Sequence, residues 1–184
     1  QDVGRPQHVA ELVERLQGMS RRQQKKIKCL AGHFAFGVHR YYRAGPATYI
    51  TLLRHPVDRV VSHYFQVLRS ESHYLHGTVT ARRLGLREYQ ESRLSIELDN
   101  GQTRLLAGIG WGADFGECTD AMLAQAKENL GRHFSAVGLS EKFGDFLLML
   151  QRQFGWQTAG CEKRNVSGNR LPIGEIDRET LRVI

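Results

Sequence analysis

At 184 residues, 41% of them hydrophobic and 24% charged, the chain is long enough for one domain with a core and too short for two. Its 26 basic residues (20 Arg and 6 Lys) against 19 acidic ones give a net charge of +7, which implies anionic partners without separating nucleic acid from nucleotide or acidic sugar. No apolar run is long enough to span a membrane. The cysteines Cys29, Cys118 and Cys161 are widely spaced, which argues against a metal site or a disulfide framework and leaves room for one bridge.

The first third of the chain predicts two helical segments and a strand. Apolar spacing indicates a helix over residues 7–17, ended by Gly18. "SRRQQKKIK" follows, with Ser20 as a candidate N-cap and five basic residues in nine. It fits a solvated helix face better than a nucleic-acid site, because no aromatic side chains are interleaved for base stacking. "IKCLAGHF" predicts a short buried strand that runs into a loop at Gly32 and His33.

The next elements form a strand and an amphipathic helix. "TYITLL" is β-branched and almost wholly apolar, as expected for an interior parallel strand. Pro56 suits the first turn of the helix that follows, where its missing N–H costs nothing. The predicted buried stripe of this helix comprises Val57, Val60, Val61, Tyr64, Phe65 and Leu68.

The second half of the chain alternates helices with one more strand. Residues 70–100 predict helical pieces and loops, and Thr119 is a candidate cap for a helix through about Leu130. "FSAVGLSE" predicts a buried strand, with Ser140 capping the helix after it. The inward positions of these last two helices are Met122, Leu123, Ala126 and Leu130, then Phe143, Phe146, Leu147 and Leu150. Strands that alternate with helices predict a three-layer α/β sheet.

Charged and polar residues follow each predicted strand: Gly32-His33, Arg54 and Ser140-Glu141. Ligands of open parallel sheets bind at these carboxyl ends. Arg54 precedes a helix N-terminus, where backbone N–H groups and the helix dipole already favour an anion. Arg59 and Ser62 share a face of that helix, so the sequence predicts an anion site there. The alternative is that Arg54 is a surface partner of Asp58 and Ser62 a small packing residue.

A family resemblance bears on this choice. "TLLRHPVDRVVSHYF" resembles the 3′-phosphate-binding segment of the sulfotransferases, where a strand ends in Arg-x-Pro and the next helix carries Ser eight residues after the Arg. "GHFAFG", "DNGQTRLLAG", "AKENLGRHFSAVGLSEKFGDFLLML" and "KRNVSGNRLP" resemble other segments of that family, closest to the glycosaminoglycan 2-O-sulfotransferases and their bacterial relatives. The segments run from about residue 28 to 172 in family order, so the resemblance covers most of the chain.

The resemblance implies transfer of a sulfuryl group from 3′-phosphoadenosine 5′-phosphosulfate (PAPS) to a hydroxyl acceptor, with no metal. The acceptor that it implies is a carbohydrate, either neutral or acidic. Arg54 and Ser62 would bind the 3′-phosphate, helped by Arg59. His33 would be the catalytic base, a role that an imidazole suits because its pKa lies near neutrality. Without the family, His33 would be interpreted as a loop histidine bonded to a backbone carbonyl.

Further site residues follow from the resemblance by weaker analogy. Lys163, Arg164 and Ser167 would close over the cofactor. Arg104 would touch an acidic acceptor, or else brace the sheet through Asn100.

One family element has no counterpart in these residues. It is a P-loop-like Pro-Lys-Thr-Gly-Thr-Thr turn after the first strand, which cradles the 5′-phosphosulfate. By family order it belongs before Gln1, so the resemblance predicts a single N-terminally truncated domain over 1–184, a three-layer P-loop-like sulfotransferase fold that lacks its first strand and phosphosulfate loop. The alternative function is a catalytically incomplete module of this fold that binds a nucleotide or a polyanion.

The expected partners are the nucleotide donor and the acceptor, with no nucleic acid and no membrane segment in the chain. An Arg-rich chain with few cysteines predicts a bacterial cytoplasmic protein, with the Golgi lumen as the alternative. The triplet Asn165-Val-Ser167 is a glycosylation sequon, but it lies inside the expected cofactor loop.

Overall fold

The computed structural model describes residues 6–110, 112–157 and 171–184. The chain divides into two compact units, one formed by residues 1–50 and 99–135 and the other by 51–98 and 136–184. The helices described in the first unit are α1 (Pro6–Gly18), α2 (Arg21–Gln24), α6 (Gly101–Ala107) and α7 (Asp120–His133). Those of the second unit are α3 (Pro56–Arg69), α4 (His76–Ala81), α5 (Leu86–Glu91), α8 (Phe143–Phe154) and α9 (Arg178–Val183). Of the helices in the described residues, none has the length and apolarity needed to cross a bilayer.

Two strands, β1 (Tyr49–Leu53) and β2 (Phe134–Leu139), pair in a small parallel sheet. This mixture of helices and parallel strands is compatible with the predicted α/β class. The strand expected from "IKCLAGHF" is wrong, because residues 27–35 form irregular backbone and Lys28, Cys29 and Leu30 are exposed. An apolar run becomes a strand only when a neighbouring strand satisfies its backbone N–H and C=O groups. No such partner for this segment is present in the described part of the chain.

The second half of β2 has one covered face and one open face. Ala136 and Gly138 are buried, whereas Val137 and Leu139 are 39% and 47% exposed. Gly138 lies so close to α8 that an added Cβ would come within 2.3 Å of the Phe146 ring, so glycine is needed for this packing. The expectation of helices on both faces is therefore not met by the described residues around β2, and the P-loop-like fold stays a prediction.

A buried glutamine holds the N-terminal helices of the first unit. The Gln24 side chain is 1% exposed and donates to the carbonyls of Leu16 (2.6 Å) and Tyr41 (3.2 Å). Its Oε1 accepts from the backbone N–H of Arg43 at 2.6 Å. Ser20 caps α2 as predicted, through a capping box with Gln23. The basic side chains of this segment are exposed, as a solvated face requires.

Helix α7 packs on α6, also within the first unit. Thr119 is its N-cap, as predicted, and accepts from Met122 N. Asn129 faces inward and donates to the carbonyl of Leu106 at 2.7 Å. Leu123, predicted to face inward, is 40% exposed. The helix also continues three residues beyond Leu130, to the start of β2.

In the second unit, α3 begins at Pro56 as predicted. Its buried side chains include Val60 and Val61 of the predicted stripe, together with Val67. The hydroxyl of Tyr64 donates to the carbonyl of Leu84 at 2.9 Å, which ties α3 to the segment before α5. Residues 70–100 are the helical pieces and loops that the sequence predicted.

The cap expected for the helix after β2 lies two residues further along the chain. Ser140 begins a short 3₁₀ turn, and Lys142 is the N-cap of α8. Phe146 and Leu150 are buried as predicted, but Phe143 is 38% exposed.

Candidate functional site

The turn between β1 and α3 brings together the groups expected of an anion site. Arg54 follows the last residue of β1, His55 is the N-cap of α3, and Pro56 is its first helical residue. His55 makes no side-chain cap hydrogen bond. The helix start therefore combines a positive dipole end with an adjacent guanidinium.

A carboxylate from the end of β2 contacts the same turn. Glu141 Oε1 accepts from the backbone N–H of His55 at 2.9 Å, and the Ser140 hydroxyl donates to Glu141 Oε2 at 3.2 Å. The His55 N–H is the largest cause that lowers the pKa of Glu141, and the nearby charge of Arg54 lowers it further. The sequence placed Ser140-Glu141 at a strand end but gave Glu141 no role in the site. Its contact with His55 joins residues 86 positions apart, which no local pattern reveals.

Glu141→Gln is expected to destabilise the protein at pH 7 but not at acidic pH. A carboxyl whose folded-state pKa is lowered contributes stability above its unfolded pKa of about 4.3. That contribution disappears as the pH falls through the lower folded pKa. Urea unfolding of the variant and wild type at about pH 7 and pH 3.5 measures the difference. Glu175→Gln, which removes an exposed carboxylate with no hydrogen bond to a described residue, is the matched control. Equal destabilisation by Glu141→Gln at both pH values would show that the Glu141 carboxylate does not stabilise the fold through a lowered pKa.

The other two predicted phosphate ligands lie on α3 in different situations. Ser62 is half-buried, and its hydroxyl makes no hydrogen bond with a described residue. Arg59 is engaged, since its guanidinium donates to Glu97 twice, to the carboxylate at 2.9 Å and to the carbonyl at 2.7 Å. The geometry therefore gives Arg59 a structural contact, and a cofactor role for it would require breaking this pair.

His33 lies in the first unit, on an exposed bend. Its ring has no hydrogen bond to a described residue, unlike the loop histidine that the alternative interpretation required. The segment is anchored three residues later, where Phe36 N donates to the carbonyl of Leu105 at 2.7 Å. Gly108 makes this anchor tight, because its φ of +83° and the 2.9 Å approach of Phe36 O to an added Cβ both require glycine. The imidazole is thus presented to solvent from a fixed backbone.

Arg104, also in the first unit, is 1% exposed and fully engaged. It donates to the carbonyls of Asp99, Ala113 and Asp114 at 2.6–2.7 Å and forms an ion pair with the Asp99 carboxylate. Asp99 also accepts from Gly116 N at 2.8 Å. These contacts give Arg104 a structural role, which was the alternative to acceptor binding in the sequence analysis. Its partners are Asp99 and the 113–116 loop, whereas the sequence analysis expected Asn100. Substrate binding by Arg104 has no support in this geometry.

The predicted site residues are thus distributed over both units. Arg54, Arg59 and Ser62 belong to the β1–α3 segment of the second unit, and His33 belongs to the first. Three further predicted cofactor ligands, Lys163, Arg164 and Ser167, lie outside the described residues. Within the ranges that the structure describes, no three His, Cys, Asp or Glu side chains are grouped so as to hold a metal ion.

Comparison with known proteins gives one informative match. The chain is 29% identical over 154 residues to a heparin sulfate O-sulfotransferase of Drosophila melanogaster. The match covers 79% of this chain and 44% of the relative, so the chain spans less than half of that protein. No family model matches the chain, and no solved structure matches it.

The match corrects one prediction from the sequence. The prediction of a bacterial cytoplasmic protein is wrong, because the relative that the chain resembles comes from an animal and not from a bacterium. Composition misled here because Arg content and cysteine number reflect partners and redox state only indirectly. The chain is thus distantly similar to one sulfotransferase over part of that protein's length.

Proposed function

We propose that the chain is part of a sulfotransferase that moves a sulfuryl group from PAPS to a hydroxyl group of a carbohydrate. The observation that carries the proposal is the similarity to a heparin sulfate O-sulfotransferase over 79% of the chain. The β1–α3 turn supports it, because the Arg54 guanidinium adjoins the positive end of the α3 dipole, where the His55 side chain makes no capping hydrogen bond. An animal relative with a sulfated-sugar substrate in its name favours the Golgi lumen as the compartment.

In this proposal the second unit binds the 3′-phosphate of the donor. The Arg54 guanidinium donates charge-assisted hydrogen bonds to the phosphate oxygens. The Ser62 hydroxyl, two helical turns along α3, donates a further hydrogen bond to the same phosphate. We leave Arg59 out of the proposed site because Glu97 holds it. The donor supplies the activated sulfuryl group, and these residues hold its nucleotide in place.

His33 takes the proton from the acceptor hydroxyl in this proposal. The acceptor oxygen then forms a bond to sulfur, and the bond between sulfur and the bridging phosphate oxygen breaks. Adenosine 3′,5′-bisphosphate leaves with the electron pair of that bond. An exposed imidazole with no hydrogen bond to a described residue is suited to accept a proton from a substrate that arrives from solvent.

Arg54→Ala is expected to weaken binding of adenosine 3′,5′-bisphosphate about 10- to 150-fold. A charge-assisted hydrogen bond contributes about 1.5–3 kcal/mol, which corresponds to that change in Kd. Isothermal titration of the wild type, Arg54→Ala and Ser62→Ala measures it, with a smaller loss expected for Ser62→Ala because its bond is neutral on the protein side. Arg69→Ala, at the far end of α3, is the matched control.

Adenosine 5′-phosphate, which lacks the 3′-phosphate, makes this experiment specific. Its affinity should be the same for the wild type and Arg54→Ala. Equal affinity of both proteins for the bisphosphate, or an equal loss for both nucleotides, would remove the 3′-phosphate assignment.

A module that binds a nucleotide or a polyanion without catalysis is the alternative. It is favoured by the net charge of +7, which attracts anionic ligands whether or not a transfer follows. The full-length protein, supplied with PAPS and a desulfated glycosaminoglycan, separates the two: transfer of sulfate supports the enzyme, and binding without transfer supports the module.

A further inference from the structure

An aromatic cluster in the first unit has no part in the proposed function. Its neighbouring ring centroids lie 4.9–6.0 Å apart, and its members are Phe36, His39, Tyr49, His133 and Phe134. The cluster joins the turn at residues 36–41 to the first residue of β1 and to the junction of α7 and β2. Two of its members are histidines, and one of them, His39, is hydrogen-bonded to Tyr49 within the cluster.

The Tyr49 hydroxyl fixes the protonation state of one of these histidines. It lies 3.2 Å from Gly37 N, 3.0 Å from His39 N and 2.6 Å from His39 Nδ1. The two backbone N–H groups must donate, and they occupy both lone pairs of the hydroxyl oxygen. The hydroxyl proton therefore points to His39 Nδ1, which must be unprotonated. The ring proton is then on Nε2, and His39 is neutral.

The surroundings of His39 favour the same neutral state. Burial is the largest cause that lowers the pKa of His39, followed by the charge of Arg40 on the same turn and of His133 at the end of α7. Tyr49 faces the ring from β1 and donates to it. Arg40, His133 and the Tyr49 hydroxyl thus all oppose a positive charge on His39.

Protonation of His39 would break this arrangement. A proton on Nδ1 would face a hydroxyl whose lone pairs are both in use, so at least one of the three hydrogen bonds must be lost. Those bonds tie Gly37 and His39 to β1. The neighbouring Phe36 anchor to Leu105 does not involve the hydroxyl and would remain.

We propose that Tyr49 and His39 form a proton-sensitive latch, a pair of residues that holds the 36–41 turn on β1 while the imidazole of His39 is neutral. The latch itself is a property of the fold and can be tested without any activity.

Tyr49→Phe removes the hydroxyl and keeps the ring packing, so it isolates the latch. Protection of the Gly37 and His39 amides from hydrogen exchange should fall roughly 3- to 10-fold, as expected for the loss of one hydrogen bond each. Protection of the Phe36 amide should not change. Tyr41→Phe is the matched control, because the Tyr41 hydroxyl makes no hydrogen bond with a described residue and lies in the same turn.

Nitrogen-15 spectra of the His39 ring provide a second readout. In the wild type we expect the proton on Nε2 and a pKa below 6.5, and Tyr49→Phe should raise that pKa. Acidification from about pH 7.5 to 4.5 should reduce the protection of the Gly37 and His39 amides in the wild type, with no comparable reduction in Tyr49→Phe. A proton on Nδ1 in the wild type at pH 7.5, or equal protection in the wild type and Tyr49→Phe, would overturn the latch.

Activity separates the latch from the proposed function. In the full-length protein, Tyr49→Phe should leave kcat and the affinity for adenosine 3′,5′-bisphosphate unchanged at pH 7.5, because the Phe36 bond to Leu105 still holds the segment that carries His33. If the exchange results hold and the protein transfers no sulfate, the latch stands and the proposed function falls. If transfer occurs and the exchange results fail, the proposed function stands and the latch falls.

Discussion

His33→Ala in the full-length protein is expected to lower kcat for sulfate transfer about 10²- to 10⁴-fold, the usual contribution of a general base. The physical reason is that the acceptor hydroxyl, with a pKa far above 7, becomes a good nucleophile only as it loses its proton to a neighbouring base. Affinity for adenosine 3′,5′-bisphosphate should not change, because the proposed phosphate ligands are Arg54 and Ser62. Single-turnover kinetics with labelled donor measure the first quantity and titration calorimetry the second.

Free imidazole is a sharp control for this variant. Since His33 is exposed on a bend, imidazole from solution can reach the space left by the alanine and should restore part of the turnover. Rescue that rises with the fraction of neutral imidazole would identify proton transfer as the missing step. Unchanged turnover in His33→Ala would remove His33 from the mechanism.

Asp99→Asn is expected to lower the free energy of unfolding by about 3–5 kcal/mol, because it leaves the Arg104 guanidinium buried without a counter-charge. Arg104 is 1% exposed, and its guanidinium forms an ion pair with the Asp99 carboxylate. Burial raises the pKa of Asp99, but the hydrogen bonds from Gly116 and Arg104 outweigh it and hold the pKa below its ordinary value. The pair therefore stabilises the protein at neutral pH and loses this effect as acid protonates Asp99.

Asp114→Asn is the matched control for this prediction. The backbone carbonyl of Asp114 accepts from Arg104 at 2.6 Å, but the exposed Asp114 side chain takes no part in the ion pair. The free energy of unfolding should therefore change by no more than about 0.5 kcal/mol. Urea unfolding at pH 7 compares the two variants with the wild type. Similar stabilities for Asp99→Asn and Asp114→Asn would show that the buried pair contributes little.

The sequence predicted the β1–α3 segment well because local physics fixes it. Pro56 can start a helix but cannot continue a strand, so the boundary between β1 and α3 follows from one residue. The same is true of Ser20 and Thr119, whose side chains cap the helices that follow them. Arg54 and Ser62 were placed on this segment in the same way, and their role as phosphate ligands stays a prediction.

The failures have the opposite cause. "IKCLAGHF" has the apolar content of a strand but no partner strand in the described part of the chain, and pairing is a property that one segment does not contain. Leu123 has helical spacing but is exposed, because the neighbouring elements decide which stripe of α7 is covered. Arg59 was predicted to bind the phosphate because it shares a face of α3 with Ser62. In the structure its guanidinium donates to the carboxylate of Glu97, 38 residues further along the chain.

By itself the sequence determined the starts of α2, α3 and α7, because capping residues and Pro56 act on their immediate neighbours. The tertiary structure alone decided what each polar side chain does. It paired Arg104 with Asp99 and the 113–116 loop, brought Glu141 to the start of α3, and joined the Tyr49 hydroxyl to His39. Burial and hydrogen-bond saturation set these roles, and both arise only when segments distant in the chain are packed together.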